Sequence, residues 1–324
     1  MGEAVEAAQS RVAVIGAGAI GVAFAAVFGD AGASVVVAEP DGARRDGLAG
    51  ALASHHAAMV TAGLAREETP AEVNSVAAAG DAAAGADLVI EAGPEDLSAK
   101  QNLFDTLLEA SEGHPAPVPI ATASSAITVS RILPEAHRRA RCLVAHPANP
   151  PSVIRILEIV PAPETDPAVT ARTAELFTSA GFSPTILNGE IEGFVFNRLQ
   201  GALLREAYRL VADGLVDAGG VDRLVRDGLG PRWALSGPFE TAELNTPGGL
   251  LAHAARMGPA YKRMGEARGE TDAGWPDDLV RTVERQRRAA VPAEALPAKA
   301  RWRARAVAQL IKARNAIAKD GGDG

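Results

Sequence analysis

Residues 11–15 read Arg-Val-Ala-Val-Ile, and they run straight into Gly16-Ala17-Gly18-Ala19-Ile20-Gly21 and a further apolar stretch. A β-branched run that meets G-x-G-x-x-G and opens onto an apolar segment dictates a strand, a tight turn and a helix packed closely on that strand. Gly16 permits the turn, Gly18 lets the backbone approach a ligand's phosphates, and Gly21 lets helix and strand touch. The unpaired amides and partial positive charge at such a helix start suit a pyrophosphate. Eighteen residues beyond Gly21, Glu39 closes the next run, Val35-Val36-Val37-Ala38. An acid there accepts hydrogen bonds from ribose hydroxyls and repels a 2′-phosphate. These features specify a dinucleotide-binding domain that favours NAD over NADP, with Arg44 and Arg45 nearby as the one feature that favours the phosphate.

The segment 12–29 is uncharged over 18 residues, close to the length of a membrane span. Its glycines mark it instead as strand, turn and helix, and residues 1–11, with Glu3 and Glu6, lack the basic start of a signal peptide. Neither a membrane partner nor a targeting signal is expected. The 324 residues correspond to about two domains. With 32 basic against 40 acidic side chains the net charge is −8, which offers no electrostatic footprint for nucleic acid. Cys142 is the only cysteine, so disulfides within the chain and thiolate zinc clusters are excluded, no metal is expected, and a reducing cytoplasm fits best.

Short β-branched runs at 11–15, 34–38, 87–90, 118–121, 141–145 and 153–160 alternate with helical stretches at 19–31, 41–64, 96–110 and 166–180. Such alternation of near-continuous apolar strands with helices predicts a mainly parallel sheet covered on both faces. After residue 190 the pattern becomes helical, at 193–213, 217–228, 239–256, 278–290 and 296–318. The expected organisation is therefore a Rossmann-type α/β domain over 1–190 and an all-α domain over 191–324, divided at 189–193. Arg301, Arg303, Arg305, Lys312 and Arg314 on the last helix read as a solvated face or a subunit contact, and 320–324 as a disordered tail. Exposed apolar faces of the second domain point to a homodimer.

Of six histidines, His146 stands apart, because it ends the strand Cys142-Leu143-Val144-Ala145 just before Pro147. Catalytic groups in open α/β sheets gather at such strand ends. Alternation along 153–160 places Ile154, Ile156, Glu158 and Val160 on one face. A carboxylate among apolar neighbours needs a partner, and His146, two consecutive strands away, can be it. Such a pair fixes the imidazole tautomer and prepares a general base. Thr122-Ala123-Ser124-Ser125-Ala126 follows a strand and can present a hydroxyl to the same cleft, while Asn197 lies between Gly193 and Gly201 on the first helix of the second domain.

Taken with Ala145-His146-Pro147-Ala148-Asn149-Pro150-Pro151, with 193–200, and with Gly228-Leu229-Gly230-Pro231-Arg232-Trp233 leading to Gly237-Pro238-Phe239-Glu240, the chain resembles the 3-hydroxyacyl-CoA dehydrogenase family over nearly its whole length. Within that family it is most similar to the lambda-crystallin and L-gulonate 3-dehydrogenase branch. The resemblance implies catalytic roles for His146, Glu158 and Asn197. It implies Ser125 as the catalytic serine if no gap precedes His146, and Ser124 if there is one. For NAD it implies Ala19, Ile20, Glu39, Glu95, Lys100 and Asn149 beside Gly16, Gly18 and Gly21. Lys100 is the only lysine before residue 262.

The chain departs from the family in three places. Glu39 replaces an Asp, Ala123-Ser124 stands where Asn-Thr is common, and 41–64 lacks the lysines with which relatives hold CoA. Arg232 is then available to a free substrate carboxylate, or to an acid of its own domain. The implied activity is reversible NAD-dependent oxidation of the 3-hydroxyl of a small hydroxy acid, resembling L-gulonate, carnitine or 3-hydroxybutyrate. The alternatives are a short-chain 3-hydroxyacyl-CoA dehydrogenase and a non-catalytic, crystallin-like or NAD-binding regulatory protein. A dehydrogenase with a catalytic lysine on the interdomain helix is excluded, since no lysine lies between 101 and 261.

Overall fold

The computed structural model describes residues 10–270 and 277–299, together with Trp302, Ala313 and Ala316. It divides into two compact units, Met1–Leu203 and Leu204–Gly324. Most of the helix expected over 296–318, with its arginine run, and the tail 320–324 lie outside the described residues.

In the first unit the chain runs β1 (Arg11–Ile15), α1 (Ala19–Asp30), β2 (Ser34–Ala38), α2 (Gly42–Asp46), α3 (Leu48–Thr61), β3 (Asn74–Val76), α4 (Ala79–Ala83) and β4 (Leu88–Glu91). It continues with α5 (Leu97–Ala110), β5 (Ile120–Thr122), α6 (Val129–Ile132), β6 (Cys142–Pro147), β7 (Ile156–Pro161), α7 (Pro167–Ser179), β8 (Ser183–Ile186) and the start of α8 (Phe196–Ala212). The strands form one sheet in the order β3-β2-β1-β4-β5-β6-β7-β8. The order reverses between β1 and β4, and the crevice outside the carboxyl ends of strands at such a switch point is where α/β sheets bind ligands.

Each face of the sheet carries its own core, because side chains alternate along every strand. Val12, Val14, Val35 and Val37 pack with Phe24, Phe28, Met59 and Phe177 on one side. Ala13, Ile15, Val89 and Ile120 pack with Phe104, Leu107, Val129 and Phe194 on the other. Fully burying a Phe or Leu is worth about 1.5–3 kcal/mol, so these two layers hold the strand ends in fixed register.

The structure corrects several boundaries. The helix expected over 41–64 is two helices that meet at Gly47, a poor helix former. The strand expected over 153–160 begins only at Ile156, because the amides of Val153 and Ile154 turn back onto the Pro150 carbonyl. Ile154 is thus outside the strand and shares no face with Glu158. Sheet polarity also breaks at β7, which runs antiparallel to β6 and parallel to β8. The β8 strand carries Pro184, which an edge strand tolerates but which hid it in the sequence.

The second unit is helical where described: α9 (Ala218–Leu224), a π turn at Val225–Leu229, α10 (Gly230–Trp233), α11 (Pro238–Leu244), α12 (Gly249–Ala267) and α13 (Asp277–Ala290). The helical stretch expected over 239–256 is divided into α11 and α12. Gly248 and Gly249, at φ +92° and +73°, turn the chain between them. No described helix is long and apolar enough to cross a membrane.

Candidate active site

The turn after β1 builds the floor of a cleft. Gly16 lies at φ +107°, and a Cβ there would stand 2.8 Å from the Ala92 carbonyl oxygen. At Gly21 it would stand 2.0 Å from the Gly16 oxygen. Both glycines are therefore required by backbone packing. Gly18 differs, since nothing lies within 4 Å of its imagined Cβ. It is the N-cap of α1, no side chain caps the helix, Ala19 is exposed and Ile20 half-buried. Buried Glu39 accepts the Ala17 amide at 3.0 Å on Oε2 and the Asp41 amide at 3.1 Å on Oε1. Arg44 reaches only to 3.8 Å from Oε2, and Arg45 is spent on the Glu39 and Pro40 carbonyls. Gly16, Gly18, Glu39, Gly93, Pro94 and Leu103 border a cleft of about 680 Å³. An open glycine, uncapped helix amides and a held acid at its two ends fit a dinucleotide.

Beside this cleft lies a second set of charges. Lys100 on α5, only 2% exposed, donates to both oxygens of fully buried Glu91 at 2.9 and 2.8 Å, and lies 3.7 Å from Glu95. Glu95 in turn accepts the Ser124 hydroxyl at 2.5 Å and the amides of Ser125 and Ala126 at 3.1 Å. The sequence reading missed Glu91. Its signal was present: an acid extends the apolar run Leu88-Val89-Ile90 by one residue, within reach of a chain's solitary early lysine.

The sheet brings the third set together. Antiparallel register between β6 and β7 sets His146 directly opposite Glu158, as immediate neighbours. Both are buried, and Nδ1 of His146 lies 2.8 Å from Oε2 of Glu158. The other oxygen accepts the amides of Val195 and Phe196 at 2.8 and 3.0 Å, at the start of α8. Gly193 at φ +77° and Phe194 at +48° turn the chain so that these amides face the carboxylate. A left-handed conformation costs a Phe about 1–2 kcal/mol. Burial of the Phe194 ring, 5.4 Å from the imidazole, offsets that cost. Among the described residues Nε2 of His146 has no hydrogen-bond partner.

Asn197 on α8 donates from Nδ2 to the Ser125 carbonyl at 3.1 Å. The two serines differ sharply. Ser124 is buried, bonded to Glu95, and accepts the Ile127 amide at 2.8 Å, whereas Ser125 is exposed and its hydroxyl has no partner among the described residues. Asn149 stands exposed beyond β6. Arg232, in the second unit, donates to the Gly228 carbonyl at 3.2 Å and forms no ion pair among the described residues.

The chain as a whole has counterparts among known proteins. Residues 11–190 match the family model "3-hydroxyacyl-CoA dehydrogenase, NAD binding domain", and 193–289 match "3-hydroxyacyl-CoA dehydrogenase, C-terminal domain". The chain belongs to the 3-hydroxyacyl-CoA dehydrogenase family. A lambda-crystallin homolog of Bos taurus is 37% identical over 262 residues, covering 79% of this chain and 80% of that protein. An L-carnitine dehydrogenase of Streptomyces griseus is 35% identical over 245 residues, 75% and 72% of the two chains. Among solved structures, the NAD⁺-dependent dismutase 5-formyl-3-hydroxy-2-methylpyridine 4-carboxylic acid 5-dehydrogenase superposes with a TM-score of 0.66 at 26% identity, covering 93% of this chain and 97% of that one. As a member of this 3-hydroxyacyl-CoA and hydroxy acid dehydrogenase family, the protein is an NAD-dependent oxidoreductase.

Proposed function

We propose that the protein oxidises the 3-hydroxyl of a small hydroxy acid, a compound like L-gulonate, carnitine or 3-hydroxybutyrate, with His146 as the base. The observation that carries this reading is the wiring of Glu158. Oε1 of the carboxylate accepts two backbone N–H groups at the start of α8, and Oε2 lies 2.8 Å from Nδ1 of His146, where an ionised carboxylate takes the ring's N–H. The carboxylate can therefore neither swing away nor donate, and it keeps the proton on Nδ1. That leaves the Nε2 lone pair to take the hydroxyl proton, and the adjacent negative charge stabilises the imidazolium that forms. The free Ser125 hydroxyl, with the second N–H of the Asn197 amide, holds the substrate oxygen. Ser124 is committed to Glu95, so the catalytic serine is Ser125.

On the turn that Gly16 and Gly21 make possible, Gly18 and the amides of Ala19 and Ile20 would hold the pyrophosphate, Glu39 the adenine ribose, and Glu95 and Asn149 the distal half, with Lys100 fixing Glu95 from behind. Bound there, NAD supplies the hydride acceptor. Arg232, which forms no ion pair among the described residues, is the group we assign to the substrate carboxylate. The lysine-free helices α2 and α3, and a relative named L-carnitine dehydrogenase, favour a free acid over a CoA ester. The all-α part joins two copies into a homodimer, since Leu199, Tyr208 and Leu215 lie exposed along and just beyond α8. The single buried cysteine suits the cytoplasm.

NADH formation at 340 nm with L-gulonate, carnitine, 3-hydroxybutyrate and 3-hydroxybutyryl-CoA tests the reading. Turnover of a free acid is expected. Turnover of the CoA ester alone would make this a short-chain acyl-CoA enzyme, and NAD binding without any turnover would make it a crystallin-like or regulatory binder.

A further inference from the structure

Glu91 sits at the carboxyl end of β4, at the point where the strand order reverses. Its surroundings are unusual for an acid. It is 0% exposed, and both oxygens are filled. Oε1 takes the Gly93 amide at 2.7 Å and Lys100 at 2.9 Å, while Oε2 takes Lys100 at 2.8 Å and the Thr122 hydroxyl at 2.6 Å. Gly93 borders the cofactor cleft, and a Cβ on it would lie 3.0 Å from Glu91 Oε1, so the loop rests directly on the carboxylate.

A buried ion pair is a poor source of stability, because the cost of desolvating both charges cancels most of their attraction. What this pair does provide is geometry. Glu91 fixes the Lys100 ammonium, whose remaining face is turned to Glu95 at 3.7 Å. Glu95 anchors the turn Ser124-Ser125-Ala126, and the carbonyl of Ser125 receives Asn197. One connected set of hydrogen bonds and ion pairs thus runs from the wall of the cofactor cleft to the serine turn.

The geometry points to Glu91 as a positioning residue that sets the Gly93 wall and the Ser125 turn together, acting through Lys100 and Glu95. The second half of this inference rests on the role given to Ser125 above. Glu91→Gln keeps the volume but removes the charge that holds Lys100. The ammonium then collapses onto Glu95 and draws it from the amides of Ser125 and Ala126, and the Gly93 amide competes for a single carboxamide oxygen.

The test measures NADH affinity by fluorescence, kcat on the best substrate of the panel, and Tm. For Glu91→Gln, at a temperature well below its Tm, NADH Kd is expected to rise about tenfold and kcat to fall about tenfold. A merely structural pair would lower Tm and leave both within twofold of the parent, which overturns the proposal. If that variant does not fold, Thr122→Val decides. It keeps the shape and deletes one hydrogen bond to Glu91, and a shift of about threefold in NADH Kd is expected, an unchanged Kd being the contrary result. If the parent turns over nothing in the panel, the function proposed above fails, while NADH affinity still decides this inference.

Discussion

Two buried acid–base pairs stand at the carboxyl ends of β4 and β6, two places apart in the sheet, and they are wired in opposite senses. In Glu91–Lys100 both oxygens of the acid are occupied, and the ammonium is enclosed by two carboxylates. In His146–Glu158 the acid is equally occupied, but the base keeps one nitrogen without a partner. Burial is alike in the two pairs, so it does not mark the reactive group. The vacancy does. A ring nitrogen with no partner in the protein keeps its lone pair for the hydroxyl proton of a substrate.

This contrast can be broken experimentally. His146→Gln retains a side chain of similar size but no base, and kcat is expected to fall about 10³-fold with NADH affinity within twofold of the parent; a kcat close to that of the parent would show that the vacancy at Nε2 is not where the proton goes. Glu158→Gln is expected to cost about 10²-fold in kcat. A carboxamide accepts through one oxygen only, whereas Glu158 accepts three N–H groups, so the amide nitrogen must face either the imidazole or the α8 backbone. Loss of Tm with full kcat would reassign Glu158 to packing alone.

The glycine turn sharpens the comparison between filled and open positions. Gly21→Ala places a Cβ against the Gly16 oxygen and is expected to destabilise the fold by about 2 kcal/mol, seen as a lower urea midpoint. Gly18→Ala meets open space, so stability stays while NADH Kd rises about tenfold. Equal effects of the two variants on stability would remove the distinction. The smallest effect expected is at Cys142. Burial pushes its thiol up to about 12, against a weaker opposing pull from Arg141 and Arg138. At pH 8 the native thiol is therefore protonated and enclosed, and iodoacetamide should label it only after unfolding.

Much of this was legible locally. The glycine turn, Glu39 and the strand that ends at His146 are all signals carried within a few residues. Alternation along one strand picked out Glu158, although its register opposite His146 came from sheet pairing. Where a residue's role depends on partners from several elements at once, the local signal was too weak to assign it. Glu91 is one residue past an apolar run, and what makes it matter is a lysine on α5, a hydroxyl on β5 and an amide on the intervening loop. Lys100 was conspicuous by its scarcity, yet nothing in the spacing showed that its charge is spent inside the protein. Ser124 and Ser125 were inseparable until the turn around Glu95 buried one hydroxyl and exposed the other. Ile154 was misplaced because a turn onto Pro150, rather than its β-branched side chain, decides its conformation.

Nitrogen-15 NMR of the His146 ring at neutral pH tests the central claim most directly. The account predicts the tautomer with the proton on Nδ1 and a bare Nε2 in the parent. A proton resident on Nε2 in the resting protein would contradict it.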